Sequence, residues 1–151
     1  MTAEPNGPHT ILAFDYGRRR IGVAIGHPHR QHTGPLTTIR VGASGPDWSE
    51  IEQQVSEWDP SLLIVGLPYN MDGTDNELTP CAKKFARQLK GRFGLPVETV
   101  DERLTSVAAR GLLRERRREG TRRKRVKRED IDRMAALVIL ESWLNRPGEK
   151  T

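Results

Sequence analysis

Residues 11–26 read ILAFDYGRRRIGVAIG, and the runs and breaks in that stretch decide the architecture. Ile11, Leu12, Ala13 and Phe14 form an apolar run that Gly17 interrupts, and a second run, Ile21 to Ile25, is bounded by Gly22 and Gly26. Two short strands joined by a tight turn fit this pattern. Asp15 stands where the first strand runs out. A carboxylate there is presented at the sheet rim, suited to grip a cation or a phosphate-bound metal. The competing reading makes it a turn residue acting with Gly17.

Outward from the hairpin, residues 1–9 read as a loose, flexible tail. The cluster of His27, His29 and His32 sits in a Pro-containing turn and reads as a surface loop, since no helical pair or carboxylate supports a metal there. A third strand follows over 36–41, and 42–46 is a loop. Asp47 opens a helix with Glu50 in a capping-box arrangement, and Trp48, Ile51, Val55 and Trp58 give it one apolar stripe. Asp59-Pro60 ends it. The run SLLIVG at 61–66 predicts a strand covered on both faces, leading into the turn-rich 67–73. Strand ends of this kind are where open α/β sheets place their sites. Thr79 as N-cap and Pro80 at the first helical position start the next helix, which Gly91 closes. A strand over 95–100 delivers Asp101-Glu102-Arg103, and a helix follows from 104 to about 116. The last helix, about 129–145, is apolar nearly all the way round and therefore reads as buried. These elements predict an α/β chain with a five-stranded mixed sheet flanked by helices, strands 1–3 antiparallel and β-α-β crossovers after them.

With 151 residues, one domain is expected, over 10–146, with a tail at 147–151. The single cysteine, Cys81, rules out an intrachain disulfide and points to a reducing cytoplasm; it reads as a small helix-packing residue. The N-terminus lacks the basic-then-apolar order of a signal peptide, and no apolar run is long enough to span a bilayer. The formal net charge of +5 is concentrated in RGLLRERRREGTRRKRVKR, residues 110–128, with 117–128 expected to be mobile. Such a block calls for a polyanion, nucleic acid first and an anionic membrane second. Arg18, Lys83, Lys84, Arg87 and Arg103, with Arg122, Arg123, Lys124 and Arg125, are the cations available to hold one.

Asp15 follows one apolar strand, and Asp101 and Glu102 follow another. Asp132 shares a helical stripe with Ala136, Ile139 and Trp143, so it faces packed structure. An unpaired buried carboxylate is costly, so something positive should meet each of them. For Asp132 the alternative is a first-turn acid complementing the helix dipole. A cluster of carboxylate oxygens without His or Cys suits Mg²⁺ or Mn²⁺. Two such ions about 4 Å apart support phosphodiester cleavage, which makes a metal-dependent nuclease the leading expectation.

Four segments, FDYGRRRIGVAIG, IVGLPYNMDGT, VDERLTSVAAR and DIDRMAALVILESWL, resemble the four blocks of the YqgF/RuvX family in order and spacing. The resemblance runs from about Leu12 to Leu144. It implies an RNase H-like fold and a divalent-metal phosphodiesterase that matures the 5′ end of pre-16S rRNA in ribosome biogenesis. The family's acidic positions fall on Asp15, on the Asp101-Glu102 pair and on Asp132. Within the pair the choice stays open, with a lean to Glu102 for its longer reach. Asn70 and Asp72 read as substrate-facing or structural. The roles this implies are Asp15 bridging two ions, Glu102 (or Asp101) holding one, and Asp132 holding the other. The implied partners are pre-rRNA or branched DNA, together with ribosomal precursor particles, for a monomer or weak homodimer.

The rival readings are a Holliday junction resolvase, differing only in substrate, and a non-catalytic RNA-binding assembly factor. A sugar-kinase or actin-like ATPase shares the D-x-G hairpin but needs a second such domain and a longer chain.

Overall fold

The structure is a computed structural model that describes residues 10–27, 32–104 and 128–145. The expected tails, the helix after residue 104 and the basic residues Arg122, Arg123, Lys124 and Arg125 lie outside these residues.

Among the described residues, six strands form one mixed sheet: β1 (Ile11–Tyr16), β2 (Arg20–His27), β3 (His32–Gly42), β4 (Gly45–Pro46), β5 (Leu62–Leu67) and β6 (Val97–Asp101). Their order is β4-β3-β2-β1-β5-β6. β1 to β4 pair antiparallel in sequence, while β5 runs parallel to β1 and β6 parallel to β5. The sheet thus has one strand more than the sequence suggests. Gly45, at φ 112°, turns the chain back so that a two-residue strand pairs with the end of β3. β3 is also longer than expected. His27 and His32 are register partners on β2 and β3 rather than turn residues, with their rings stacked at 5.9 Å.

Among the described residues, three helices cover the sheet: α1 (Trp48–Trp58), α2 (Thr79–Phe93) and α3 (Arg128–Leu144). Asp47 caps α1 as expected, its side chain accepting from Glu50 N at 3.3 Å. The start of α2 differs. Thr79 lies inside the helix; the N-cap position falls on Leu78, which has no capping side chain, and Asn76 Oδ1 two residues upstream accepts from Leu78 N at 2.8 Å and Thr79 N at 3.1 Å. The helix also runs through Gly91 and stops at Gly94, which takes the left-handed conformation at φ 65° and donates to Lys90 O. Gly94 wins because the hydrophobic face continues to Phe93, which packs on the core beyond Gly91. Cys81 is exposed on α2 rather than packed.

Alternation along the central strands divides the core in two. Leu12, Phe14, Ile21, Val23, Leu63 and Val65 face α1 and α2. There Phe85 meets Phe14 edge-on, with ring centroids 5.6 Å apart, and also touches Trp48. Ile11, Ala13, Ala24 and Ile64 face α3 through Ala136, Ile139 and Leu140. Burial along α3 is graded rather than complete: Ala136, Val138, Ile139 and Leu140 are buried and Glu141 is exposed.

The approach of α3 to β2 depends on two bare positions. A methyl carbon at Gly26 would stand 2.9 Å from Leu140 Cδ2, and one at Gly22 would overlap the carbonyl of Asp132. Four strand residues span roughly 13 Å and eight helical ones about 12 Å, so the helix tracks the strand closely between these points.

Candidate active site

Asp15 is the fifth residue of β1, and by parity with Ile11 and Ala13 it projects toward α3. Its register partners on both sides are glycines, Gly22 on β2 and Gly66 on β5. Partners in register share a face, so no side chain flanks Asp15 within that row. Other elements fill the space. A methyl carbon at Gly66 would lie 2.7 Å from Glu102 Oε2 and 3.1 Å from Glu102 Cγ, which places the Glu102 side chain directly over that strand. The start of α3 covers Gly22 at Asp132. Residues 15, 102 and 132, distant in sequence, therefore share one shelf on one side of the sheet.

The electrostatics follow from this crowding. Burial raises the Asp15 carboxyl well above its ordinary value of 3.8, and the charge of Glu102, a hydrogen bond with Glu102 and the charge of Asp132 push it the same way. Glu102 is also raised by burial, against the hydrogen bond from Asp15, which favours its ionised form. Burial thus raises both carboxyls of the pair. Asp132 is held from the other side by Arg20, whose Nε donates to Oδ2 at 2.6 Å. Among the described residues, no three His, Cys, Asp or Glu side chains already close around a single point as a metal cage.

Asp101 and Glu102 are adjacent but diverge. Asp101 ends β6 and is clasped by Arg103, whose Nη2 donates to Oδ2 at 2.7 Å, Nε to both oxygens, and backbone N to Oδ1 at 2.9 Å. These hydrogen bonds hold the Asp101 carboxyl below its usual range. The chain then enters a 3-10 turn, Glu102–Leu104, and that turn swings Glu102 back over Gly66. Glu102 lies against Asp15; Asp101 does not.

Of the expected nucleic-acid contacts, Arg103 and Lys83 both approach the ring of Tyr69, at 5.7 Å and 5.6 Å from its centroid. Lys84 is exposed on α2, and Arg18 is exposed and paired with Glu77. The 68–76 loop is tied internally: Asp72 Oδ1 accepts from Thr74 N at 2.9 Å, and Asn70 Nδ2 donates to Thr74 Oγ1 at 2.9 Å. Asn70 and Asp72 therefore shape the loop. Sequence reasoning missed Gly22, Gly66 and Arg20. The signal was present for the glycines, because an isolated Gly inside an apolar strand marks close approach by other groups.

Comparison with known proteins adds three findings. Residues 9–146 match the RuvX family, described as Holliday junction resolvase. Proteins named "Putative pre-16S rRNA nuclease" match at high identity. That of Azotobacter vinelandii is 48% identical over 145 residues, covering 95% of this chain and 99% of its own, and that of Nitrosococcus oceani is 46% identical over 140, covering 93% and 89%. Among solved structures, Thermus thermophilus RuvC in complex with a Holliday junction substrate superposes with a TM-score of 0.56 at 11% identity, over 89% of this chain and 94% of that one. At that identity the likeness speaks for the RNase H-like fold alone.

Proposed function

The chain belongs to the RuvX family, and from that premise we propose that it is a divalent-metal-dependent nuclease that matures the 5′ end of pre-16S rRNA. The observation that carries the reading is the glycine-flanked shelf on which Asp15, Glu102 and Asp132 meet. Nothing in packing or stability calls for three carboxylates there, and like charges crowded together cost free energy.

The donor set fits a hard cation. It offers carboxylate oxygens only, which suits Mg²⁺ or Mn²⁺ over softer metals. Asp15 would hold such ions from β1, Glu102 from the turn after β6 and Asp132 from α3. When bound there, the cations supply charge stabilisation at phosphorus and lower the pKa of water. The protein's own part is positional. β1 fixes Asp15 between two paired strands, the 3-10 turn aims Glu102, and Arg20 keeps Asp132 oriented with its charge balanced. Arg103, held by Asp101, stands beside Tyr69 where cationic and aromatic groups together can meet a polynucleotide. The three acids act as ligands and Asp101 as the residue that positions Arg103.

The test is incubation of the protein with a pre-16S rRNA 5′-leader transcript and, in parallel, a four-way DNA junction, in Mg²⁺ or Mn²⁺ and in EDTA. Cation-dependent cleavage of the leader at a defined site, lost in Asp15→Asn, is the expected result. Cleavage by Asp15→Asn at the wild-type rate overturns the site. Symmetric nicking of the junction with an intact leader moves the substrate to branched DNA.

A further inference from the structure

Beside the acidic shelf lies a cleft of about 490 Å³ lined by Arg19, Arg20, Thr38, Arg40, Val41 and Gly42. We propose that this cleft binds a backbone phosphodiester of the nucleic-acid strand next to the scissile linkage, with Arg40 as its principal ligand. The inference deepens the nuclease reading and rests on it for the identity of the strand.

Register places the cleft. Arg20 pairs with Arg40 across β2 and β3, Gly22 pairs with Thr38, and Gly22 pairs in turn with Asp15. Arg20, Arg40 and Thr38 therefore share the face that carries Asp15. Strands spaced about 4.8 Å apart put β3 roughly 10 Å from β1, so the cleft serves a phosphate near the reacting one rather than that one itself. Two arginines directly opposite each other on neighbouring strands repel, so stability alone gives no reason for the pairing. Arg20 has Asp132 as counter-charge. Among the described residues, neither Arg19 nor Arg40 has an acidic partner, and both are exposed. Arg133, whose charge is met by Asp130, lies at the rim, its Nη1 donating to Thr38 Oγ1 at 3.4 Å. A guanidinium cluster with a hydroxyl suits a tetrahedral oxyanion.

The wall is backbone-bound. Val41 N donates to Arg19 O at 2.8 Å, and Asp47 N donates to Arg40 O at 3.0 Å. These bonds lock the β2 entry to the end of β3 and to the start of α1, so the side chains project from a fixed frame and need little ordering on binding.

The experiment measures binding of a single-stranded RNA oligonucleotide in EDTA, so that no cleavage intervenes, across a salt series. Arg40→Gln should weaken binding about tenfold at low salt and reduce the log–log salt slope by roughly 0.7, the increment for one phosphate contact on a single strand. Arg40→Lys should keep the slope. Arg92→Gln, on the α2 face where Arg92 stacks 4.0 Å over Trp48, should change neither quantity. A scan of single methylphosphonate linkages should find one position whose neutralisation weakens the wild type but not Arg40→Gln. Wild-type affinity and slope in Arg40→Gln, melting normally, overturns the proposal; so does tight binding of polyglutamate abolished by Arg40→Gln while RNA binding is unchanged. Because binding is read without cleavage, a wild-type protein that cuts no RNA defeats the nuclease reading while the cleft result still stands or falls by itself.

Discussion

Replacing Gly22 with alanine tests whether the shelf is built on that bare strand position. A methyl carbon there would overlap the carbonyl of Asp132 and stand 3.1 Å from Arg133 N. Carbon atoms in contact prefer about 3.5–4.0 Å, so the first turns of α3 must retreat by roughly 1 Å. The obstacle is helix backbone, with no rotamer to yield. Overpacking of this kind costs about 1–3 kcal/mol, and a backbone collision belongs at the upper end, near 3 kcal/mol. Less unfolded-state entropy returns about 0.5–1 kcal/mol, leaving a loss of roughly 2 kcal/mol. At about 2–4 °C per kcal/mol for a chain of this size, the melting temperature falls by roughly 4–8 °C. Moving Asp132 by 1 Å should also cut cleavage by about a hundredfold at temperatures where the variant is folded. Gly91→Ala is the control of opposite sign, because nothing lies within 4 Å of that position inside α2. It should gain about 0.5–1 kcal/mol and leave cleavage unchanged. Thermal unfolding and a leader-cleavage assay read both. Gly22→Ala melting within about 1 °C of wild type and cleaving normally refutes the reasoning.

The neighbouring acids should separate in the same cleavage assay: Glu102→Gln loses about a hundredfold or more, whereas Asp101→Asn stays within roughly threefold and shifts the melting temperature little, its clasp on Arg103 being solvent-screened. The pH dependence follows from Asp15, whose carboxyl is raised above 3.8 by burial and by Glu102. A raised acid binds its proton more tightly in the folded state, so this contribution is fully present below 3.8 and lost as pH rises through the folded value. In EDTA, Asp15→Asn should melt higher than wild type, by a margin that widens with pH across that window, and a constant margin counts against the linkage. Mg²⁺ or Mn²⁺ should raise the melting temperature of wild type and not of Asp15→Asn. Asn76→Ala should lose about 1 kcal/mol, seen as roughly 2–4 °C in melting, because Asn76 Oδ1 accepts from the backbone N–H groups at the start of α2.

The hairpin, the two crossover helices and the final helix were legible in the sequence because each rests on local periodicity or a cap. That Asp15, Glu102 and Asp132 come together was foreshadowed by their places directly after apolar strands or on a helical stripe, where a carboxylate has few ordinary uses. Choosing between Asp101 and Glu102 was beyond it. That depends on the chain leaving β6 into a 3-10 turn and on Arg103 folding back onto Asp101, and neither has a periodic signature. The sixth strand escaped for the same reason, being two residues set by a glycine turn. The cap of α2 misled because Thr-Pro is a strong start signal, yet Asn76 reaches two backbone N–H groups from three residues upstream.

The two faces of the sheet divide the work. Toward α1 and α2 it carries large side chains, Phe14 against Phe85 and Trp48 with Ile51 and Leu89 behind them. Toward α3 it carries Ile11, Leu62 and Ile64 but also Ala13, Ala24 and the bare Gly22, Gly26 and Gly66. A face selected for apolar burial alone would fill those positions, since each added methylene contributes about 0.8 kcal/mol when it fits. Emptying them lets α3 and Glu102 come close enough for carboxylates from β1, the turn after β6 and α3 to repel one another. That repulsion is unfavourable in isolation, and under the proposed function a cation bound among them would offset it. The small residues of the α3 face are what bring the three acids together, and the aromatic face carries the larger share of the apolar packing.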